Sequence, residues 1–227
     1  MLVVVENFLS AEELVKIRTA LASAPWADGQ ITAGGLAAAS KNNQQVDDNS
    51  ATAVDMANIL LGKLGHHPLF VSATIPQRIH PPRFNRYGIG ESYGMHVDAP
   101  IMSMPNSNDV LRSDVSATVF LSSPDTYDGG ELLIEGQFGA QEVKLNAGDM
   151  VVYPSSSLHQ VSAVTRGERL AAILWVQSMV ADPAARALLF DLDQSIQALT
   201  RSATTDPDEL TRLTNVYHNL ARRWAHV

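Results

Sequence analysis

His96 and Asp98 are a pair of residues whose types and spacing could do chemistry. Two residues that are two apart on an extended strand place their side chains on the same face. One neutral imidazole and one carboxylate in that arrangement can bind a divalent metal ion. A His-x-Asp pair is common by chance, so the pair alone is explained equally well by a structural hydrogen bond at the end of a strand.

A third candidate ligand, His159, follows about sixty residues after Asp98. A β-barrel would bring such a distant residue next to the first two. Two histidines and one carboxylate on one face of an octahedron form the facial triad of non-haem Fe(II) oxygenases. This set leaves positions open for a co-substrate and O₂, and an open site favours catalysis over storage. The three residues therefore predict one catalytic Fe(II) site.

Arg169 lies ten residues after His159 and opens a strongly apolar segment, 169–177. A guanidinium at the inner end of such a strand suits bidentate binding of a carboxylate. The simpler alternative is a surface arginine at the start of a strand. Residues 171, 173 and 175 share its parity, so Trp175 is predicted either as a pocket wall or as a core tryptophan.

The segment before these residues, about 1–68, has mixed character. Val3 to Val5 form a short strand candidate, and Ser10 opens a helix with Glu13 in capping-box position. A second helix is predicted from about residue 51 to residue 64. The polar stretch 41–45 between the two helices is expected on the surface or at a strand edge.

Residues 69–179 hold short β-rich runs separated by Pro, Gly, Asn and Asp, which predicts a sandwich or jelly roll. The strand candidates are 69–73, 83–87, 115–121, 131–134, 150–153 and 170–177. Asp128, Gly129 and Gly130 form a turn that enters a strand. Residues 99–114 are expected to lack regular structure, and they form either a lid over the substrate or an ordinary surface loop.

Residues 180–227 are predicted to form a helical hairpin. Its two amphipathic helices begin at Asp182-Pro183 and Asp206-Pro207, which are favourable N-cap and N1 pairs. The helices pack on the barrel or on each other, or they form a homodimer interface. The chain thus divides into a catalytic domain, 1–179, with its core at about 69–179, and a C-terminal helical extension, 180–227.

Composition limits the function classes. The chain of 227 residues has a net charge of −8, which disfavours nucleic acid as a partner. It has no cysteine, so disulfides and thiolate metal sites are excluded. No apolar run approaches the roughly 18 residues of a membrane span, and the start lacks a basic signal-like region. A cytoplasmic location is therefore expected.

Four motifs taken together resemble the Fe(II)/2-oxoglutarate-dependent dioxygenases. They are HVD at 96–98, GGEL at 129–132, AGDMVVYPSSSLHQV at 147–161 and Arg169. Within that group the sequence looks prolyl-hydroxylase-like, and it is most similar to the bacterial PKHD-type hydroxylases. The resemblance covers nearly the whole chain. It implies an α+β fold with a double-stranded β-helix (jelly-roll) core, N-terminal flanking helices and a C-terminal helical hairpin.

The resemblance also implies roles for individual residues. It assigns His96, Asp98 and His159 to the iron and Arg169 to the distal carboxylate of 2-oxoglutarate. Tyr87 is similar to a tyrosine that helps to hold this co-substrate. Further pocket-lining residues are Tyr93 and Phe120, together with Trp175. Because halogenating relatives have a small residue at the position of Asp98, the sequence implies hydroxylation.

The implied reaction hydroxylates a C–H bond of a small-molecule or peptidyl substrate with O₂, and 2-oxoglutarate becomes succinate and CO₂. L-Ascorbate is expected to keep the Fe(II) reduced, and relatives suggest a link to iron homeostasis. Two alternatives stay open: a cupin-like metalloprotein that does not use 2-oxoglutarate, and an iron-sensing protein. Arg169 favours the dioxygenase, since without a dicarboxylate that cation would have no partner.

Overall fold

The computed structural model describes residues 1–32, 34, 39–105, 107–136 and 139–226. Within these ranges the five α-helices are α1 (Ala11–Ala22), α2 (Ala51–Leu64), α3 (Pro68–Thr74), α4 (Pro183–Thr200) and α5 (Pro207–Trp224). The strands are β1 (Val3–Val5), β2 (Trp26–Asp28), β3 (Lys41–Asn42), β4 (Gln44–Val46), β5 (Pro76–Ile79), β6 (Arg83–Tyr87), β7 (Ser92–His96), β8 (Ile101–Ser103), β9 (Val110–Arg112), β10 (Val115–Phe120), β11 (Leu132–Gly136), β12 (Gly139–Val143), β13 (Met150–Pro154), β14 (His159–Val161) and β15 (Arg169–Ser178).

Two antiparallel sheets form the jelly roll that the sequence predicts. The major sheet has the order β1-β13-β10-β15-β6-β4-β2, and β5 pairs with β15 at its side. The minor sheet has the order β12-β11-β14-β7-β3. Side chains of both sheets line one cavity between them. The fold class is therefore confirmed, and it places strands that are distant in sequence around a common interior.

The strand β10 shows how one sheet serves both a core and a cavity. It is buried along its whole length. Val115, Ala117 and Val119 point into the main hydrophobic core, which also contains buried residues of α1 and α2. The alternate residues Ser116 and Thr118 line the cavity. This alternation follows from the two-residue period of a strand.

The N-terminal helices form where the sequence predicts them. Ser10 and Glu13 make the complete capping box at the start of α1, since each side chain accepts a hydrogen bond from the backbone N–H of the other. The helix α2 has the predicted bounds, 51–64, and Ser50 caps it. Both helices pack their apolar faces on the major sheet, as flanking helices of the jelly roll.

Two predictions of local structure are wrong. Residues 69–73 are not a strand but lie in α3, because Pro68 favours the first helical turn and the ring of His67 accepts a hydrogen bond from Phe70 N. Residues 99–114 do not lack regular structure, since β8 and β9 pair there as a two-stranded antiparallel ribbon. The cap at residue 67 is a histidine, which is not among the residues that usually signal a helix start.

The C-terminal hairpin packs on itself and on the rest of the protein. Asp182 and Asp206 cap α4 and α5, as predicted. Ala185 and Leu189 of α4 are buried against one face of α5, and α4 also contacts α3. Among the described residues, no helix is both long enough and apolar enough to cross a membrane.

Candidate active site

The minor sheet places the two histidines side by side. His159 on β14 and His96 on β7 are direct cross-strand partners, and Asp98 follows two residues after the end of β7. Asp98 Oδ1 lies 4.0 Å from His96 Nε2 and 3.8 Å from His159 Nε2. One ligand atom from each of the three residues lies within 4.8 Å of the other two. The three residues that the sequence singles out therefore converge on one point.

Backbone carbonyl groups fix the orientation of both rings. His96 Nδ1 lies 2.8 Å from Gly94 O, and His159 Nδ1 lies 3.0 Å from Ser157 O. Each Nδ1 must carry its hydrogen to donate to these acceptors, and in a neutral ring this leaves the lone pair on Nε2. Burial, reinforced by the neighbouring His159, lowers the pKa of His96, which keeps that ring neutral.

Three electron-pair donors thus face one another: two Nε2 atoms and Asp98 Oδ1. A cation between them would relieve this arrangement, and imidazole nitrogen with carboxylate oxygen is the donor set of Fe(II) facial triads. The other oxygen of Asp98, Oδ2, accepts a hydrogen bond of 2.5 Å from Ser116. The residues present therefore fit a divalent metal ion.

Aromatic rings support the histidines. Tyr93 stacks on His96 with 3.6 Å between ring centroids, and Tyr153 meets His159 edge to face at 5.2 Å. Tyr93 is one of the predicted pocket residues. Tyr153 is not among the predicted site residues, although it ends the predicted strand 150–153, six residues before His159.

Arg169 lies at the inner end of β15, opposite Tyr87 on β6. Its side chain is among the most deeply buried of the described residues, at 2% exposure. The guanidinium carbon lies 5.3 Å from the ring centres of both Tyr87 and Phe120. Within the described part of the chain no carboxylate pairs with Arg169, and its Nε has no hydrogen-bond partner.

A buried cation without a counter-charge is costly, and an incoming carboxylate would offset that cost. Gly130 makes room for this cation. The backbone φ is +72° at Gly129 and +67° at Gly130. A Cβ on Gly130 would lie 3.0 Å from Arg169 Cδ. The glycine turn that the sequence predicts is therefore confirmed, and it also shapes the site. Arg169 fits the distal carboxylate of a dicarboxylic co-substrate.

A cavity of about 290 Å³ connects these groups. Seven of the eight predicted site residues line it: His96, Asp98, His159, Arg169, Tyr87, Tyr93 and Trp175. The eighth, Phe120, is fully buried beneath the Arg169 guanidinium. The structure thus gathers all of the predicted residues in one region.

The same cavity is lined by polar residues that were not predicted: Lys41, Gln45, Arg83 and Asn85. The expectation that residues 41–45 lie on the surface or at a strand edge is confirmed as to the edge, since β3 is the edge strand of the minor sheet. It is wrong as to exposure, since the side chains of Lys41, Asn43 and Gln45 are each at most 4% exposed. The short strands β3 and β4 sit in different sheets and turn these residues inward. Arg83 and Asn85 share the parity of Tyr87 on β6, and that spacing could have revealed them.

Comparison with known proteins identifies the family. Residues 82–177 match the 2OG-Fe(II) oxygenase superfamily, and residues 184–226 match the PKHD-type hydroxylase C-terminal domain. A PKHD-type hydroxylase of Teredinibacter turnerae is 57% identical over 225 residues, which are 99% of each chain. The chain belongs to the PKHD-type hydroxylase family. A PKHD-type hydroxylase of Shewanella frigidimarina is 54% identical over the full length of both chains.

Solved structures show the same fold at low sequence identity. A prolyl-4-hydroxylase from Pseudomonas putida matches 78% of this chain and 92% of its own, with a TM-score of 0.54 and 20% identity. A Trichoplax adhaerens prolyl hydroxylase, solved with a hypoxia inducible factor peptide, matches 82% and 86% with a TM-score of 0.54 and 15% identity. These likenesses support the jelly roll.

Membership of the PKHD-type hydroxylases makes the chain a 2-oxoglutarate-dependent oxygenase, an enzyme that takes a substrate and O₂. Fe(II) and 2-oxoglutarate are the cofactor and co-substrate of this superfamily. The family thus favours the dioxygenase interpretation over the cupin-like and iron-sensing alternatives. The two histidines and Asp98 are consistent with Fe(II), and the buried guanidinium of Arg169 is consistent with 2-oxoglutarate.

Proposed function

We propose that this PKHD-type hydroxylase binds Fe(II) through His96, Asp98 and His159, and 2-oxoglutarate through Arg169 and Tyr87. One observation carries the proposal. Three converging electron-pair donors and a buried guanidinium without a counter-charge line the same cavity. A dicarboxylic keto acid is the kind of molecule that can use both, since one end can chelate a metal and the other can pair with an arginine.

Each residue has a stated task in this proposal. Arg169 holds the distal carboxylate and sets the depth of the co-substrate. Burial raises the pKa of Tyr87, so that its hydroxyl stays protonated and can donate a hydrogen bond to the same carboxylate. Tyr93 and Trp175 form cavity walls, and Phe120 packs beneath Arg169. When bound, the metal and co-substrate supply the oxidising chemistry, which the protein orients and shields from water.

The substrate is proposed to be a small molecule or a peptidyl group whose C–H bond is hydroxylated, with release of succinate and CO₂. L-Ascorbate is proposed to maintain Fe(II). The β8–β9 ribbon supports the lid hypothesis for residues 99–114, because Met102 on β8 lines the cavity. Limited proteolysis tests it: unchanged cleavage after addition of metal and co-substrate would count against a lid.

Several broader expectations stay predictions. They are the division at residues 179 and 180, a homodimer through the C-terminal helices, a cytoplasmic location, a link to iron homeostasis and the absence of nucleic-acid partners. The exposed apolar residues Leu188 on α4 and Val216 on α5 support the homodimer, since each is more than two-fifths exposed. Size-exclusion chromatography with light scattering tests the homodimer directly.

The proposed reaction is tested by succinate formation. Purified protein is incubated under air with Fe(II), L-ascorbate and 2-oxoglutarate, and succinate is measured with and without candidate substrates. The wild type is expected to form succinate slowly without substrate, whereas Asp98→Ala should form none above the protein-free control. Equal rates for the wild type and Asp98→Ala would refute the proposal.

A further inference from the structure

Tyr127 lies beside the arginine of the proposed co-substrate site and is not among the residues predicted for it. It follows the short 3₁₀ helix Pro124–Thr126 and comes just before the turn that contains Gly129 and Gly130. Its side chain is fully buried. Tyr127 does not belong to the described lining of the cavity, whereas Arg169 does. An effect of Tyr127 on a bound molecule would therefore pass through a neighbour such as Arg169.

Gly130 brings the side chains of Tyr127 and Arg169 together. A Cβ at Gly130 would lie 3.0 Å from Arg169 Cδ and 3.1 Å from Tyr127 Cε2. Cε2 is bonded to the ring carbon that carries the hydroxyl group. The absence of a side chain at Gly130 thus lets the stem of the guanidinium and the hydroxyl end of the tyrosine ring approach the same point.

The hydroxyl group of Tyr127 interacts with the guanidinium of Arg169. Burial raises the pKa of Tyr127, and the charge of Arg169 and a hydrogen bond from it act in the opposite direction. That bond is poorly aligned, because neither Tyr127 Oη nor Arg169 Nε has a partner at normal hydrogen-bond geometry among the described residues. The two groups are therefore adjacent and imperfectly paired.

Binding of a carboxylate to Arg169 would improve this pairing. The Nε–H of an arginine can only donate a hydrogen bond, and a phenol oxygen can accept one. Poorly paired buried groups cost free energy, which better alignment would recover for both. A carboxylate held by the two terminal amino groups fixes the plane of the guanidinium, because its nitrogen atoms form one rigid fork. Co-substrate binding thus orients Nε–H as well.

Lys144 fixes Tyr127 from its other neighbours. Its Nζ lies 4.3 Å from the ring centre of Tyr127 and donates hydrogen bonds of 3.1 Å to the backbone oxygens of Tyr127 and Gly129. It also pairs with Glu131 at 3.3 Å. One ammonium group thus holds the ring and the glycine turn together. The hydroxyl of Tyr127 is therefore a fixed point against which Arg169 can be oriented.

We infer that Tyr127 is a positioning residue for co-substrate binding. Its hydroxyl oxygen accepts a hydrogen bond from Arg169 Nε when the terminal amino groups of Arg169 hold the distal carboxylate. This inference rests on the proposed function, since it concerns the same co-substrate site. Tyr127 acts on the affinity for 2-oxoglutarate and not on the oxidation that follows.

The test removes the hydroxyl group alone. Tyr127→Phe keeps the ring that contacts Lys144 and lacks only the acceptor for Arg169. The full chain is loaded with Zn(II) in place of Fe(II), and 2-oxoglutarate is titrated by calorimetry. Tyr127→Phe should bind 2-oxoglutarate about tenfold more weakly than the wild type, the factor expected for one hydrogen bond to a charged group. Tyr217→Phe, which removes a hydroxyl from α5, should match the wild type.

A spectroscopic measurement assigns the effect to Arg169. In protein with ¹⁵N-labelled arginine, the Nε–H resonance of Arg169 is identified by its absence from Arg169→Met. In the Zn(II)-loaded wild type, saturation with 2-oxoglutarate should slow the exchange of this hydrogen with water, because it becomes hydrogen-bonded. In Tyr127→Phe saturated with 2-oxoglutarate the exchange should stay faster. Equal exchange rates in the two saturated proteins would overturn the inference.

Kinetics and stability distinguish positioning from a structural role. In succinate formation without substrate, Tyr127→Phe should raise the KM for 2-oxoglutarate about tenfold and keep the wild-type kcat. The melting temperature of the metal-free variant should equal or exceed that of the wild type, because the hydroxyl has no well-formed bond to lose. A lower melting temperature with an unchanged KM would show a merely structural hydroxyl and overturn the inference.

Arg169→Met separates a failure of this inference from a failure of the proposed function. If the wild type binds no 2-oxoglutarate, or if Arg169→Met binds it as tightly as the wild type, the proposed function fails and the inference fails with it. If Arg169→Met loses affinity for 2-oxoglutarate and Tyr127→Phe keeps it, the inference alone fails.

Discussion

Ser116 Oγ donates a hydrogen bond of 2.5 Å to Asp98 Oδ2. Ser116 lies on β10 in the major sheet, whereas Asp98 follows β7 of the minor sheet, so the bond joins the two sheets across the cavity. Ser155 lies 2.7 Å from the same hydroxyl and fixes its position. Asp98 Oδ1 is thereby turned toward both histidines.

Ser116→Ala tests this support of the carboxylate. Without its hydrogen bond Asp98 can rotate away, and loss of such a supporting group typically weakens metal affinity by about 10- to 100-fold. The affinity is measured by anaerobic titration with Fe(II). Ser72→Ala is the matched control, because Ser72 also donates to an aspartate, Asp193, but in the C-terminal region. Equal affinities for Ser116→Ala and Ser72→Ala would contradict the assigned role.

Gly130→Ala tests the space around the guanidinium. The new Cβ would lie 3.0 Å from Arg169 Cδ, at a φ of +67°. Displacement of Arg169 is expected to raise the KM for 2-oxoglutarate by about tenfold and to leave Fe(II) affinity unchanged, since one charge-assisted hydrogen bond is worth about that factor. Steady-state succinate formation gives the KM.

Gly90→Ala is the control for backbone strain in that experiment. Gly90 also has a positive φ, +83°, but a Cβ there would meet no atom within 4 Å. A similar rise in KM for both variants would show that strain, and not the contact with Arg169, causes the effect.

Lys41 gives the protein a characteristic pH dependence of stability. Burial, together with the charge of Arg83, lowers the pKa of Lys41 to about 8 from 10.5. The unfolded chain therefore binds this proton more tightly than the native state does. Since stability rises with pH wherever the unfolded state binds more protons, the free energy of unfolding should gain up to about 3 kcal/mol between pH 8 and 10.5.

The measurement compares metal-free wild type with Lys41→Met by urea denaturation near pH 7.5 and near pH 10. Other groups titrate in both proteins, so the difference between the two isolates Lys41. The wild type should gain stability relative to the variant as the pH rises. A difference that stays constant, or that falls with pH, would show that Lys41 is not buried as described.

Leu189→Ala tests whether the C-terminal hairpin is part of the folded unit. Leu189 is fully buried beside α5, and such a truncation costs about 2 to 5 kcal/mol. Val15→Ala is the control, since Val15 on α1 is 64% exposed and its truncation should change stability by about 0.5 kcal/mol or less. Urea denaturation gives both values. Equal effects would mean that the hairpin adds little to stability.

Much of the site and of the fold could be predicted, because the signals lie within a few neighbouring residues of the sequence. His96 and Asp98 share a strand parity, and the caps at Ser10, Asp182 and Asp206 are local signals. The cross-strand pairing of His96 with His159 could not be predicted, since register depends on how the whole sheet assembles. It is the family resemblance that assigns His159 to the same metal ion as His96 and Asp98.

The stretch 41–45 shows where a prediction from the sequence pattern was incomplete. A continuous run of polar residues such as 41–45 normally faces water, because burial of a lysine or an amide is costly. Here the side chains of Lys41 and Gln45 face a cavity that needs polar walls. The prediction that residues 99–114 lack regular structure was wrong for a different reason. The strands β8 and β9 have three paired residues each, which are too few to show a clear two-residue period, and turn-forming residues surround them.

Anaerobic calorimetric titration of the metal-free protein with Fe(II) tests the central claim most directly. The wild type should bind one Fe(II) per chain and should then bind one 2-oxoglutarate only when the metal is present. His159→Ala and Asp98→Ala should each lose the metal site, whereas Arg169→Met should bind Fe(II) normally and lose affinity for 2-oxoglutarate. Unchanged Fe(II) binding in both His159→Ala and Asp98→Ala would contradict the claim that these residues hold the iron.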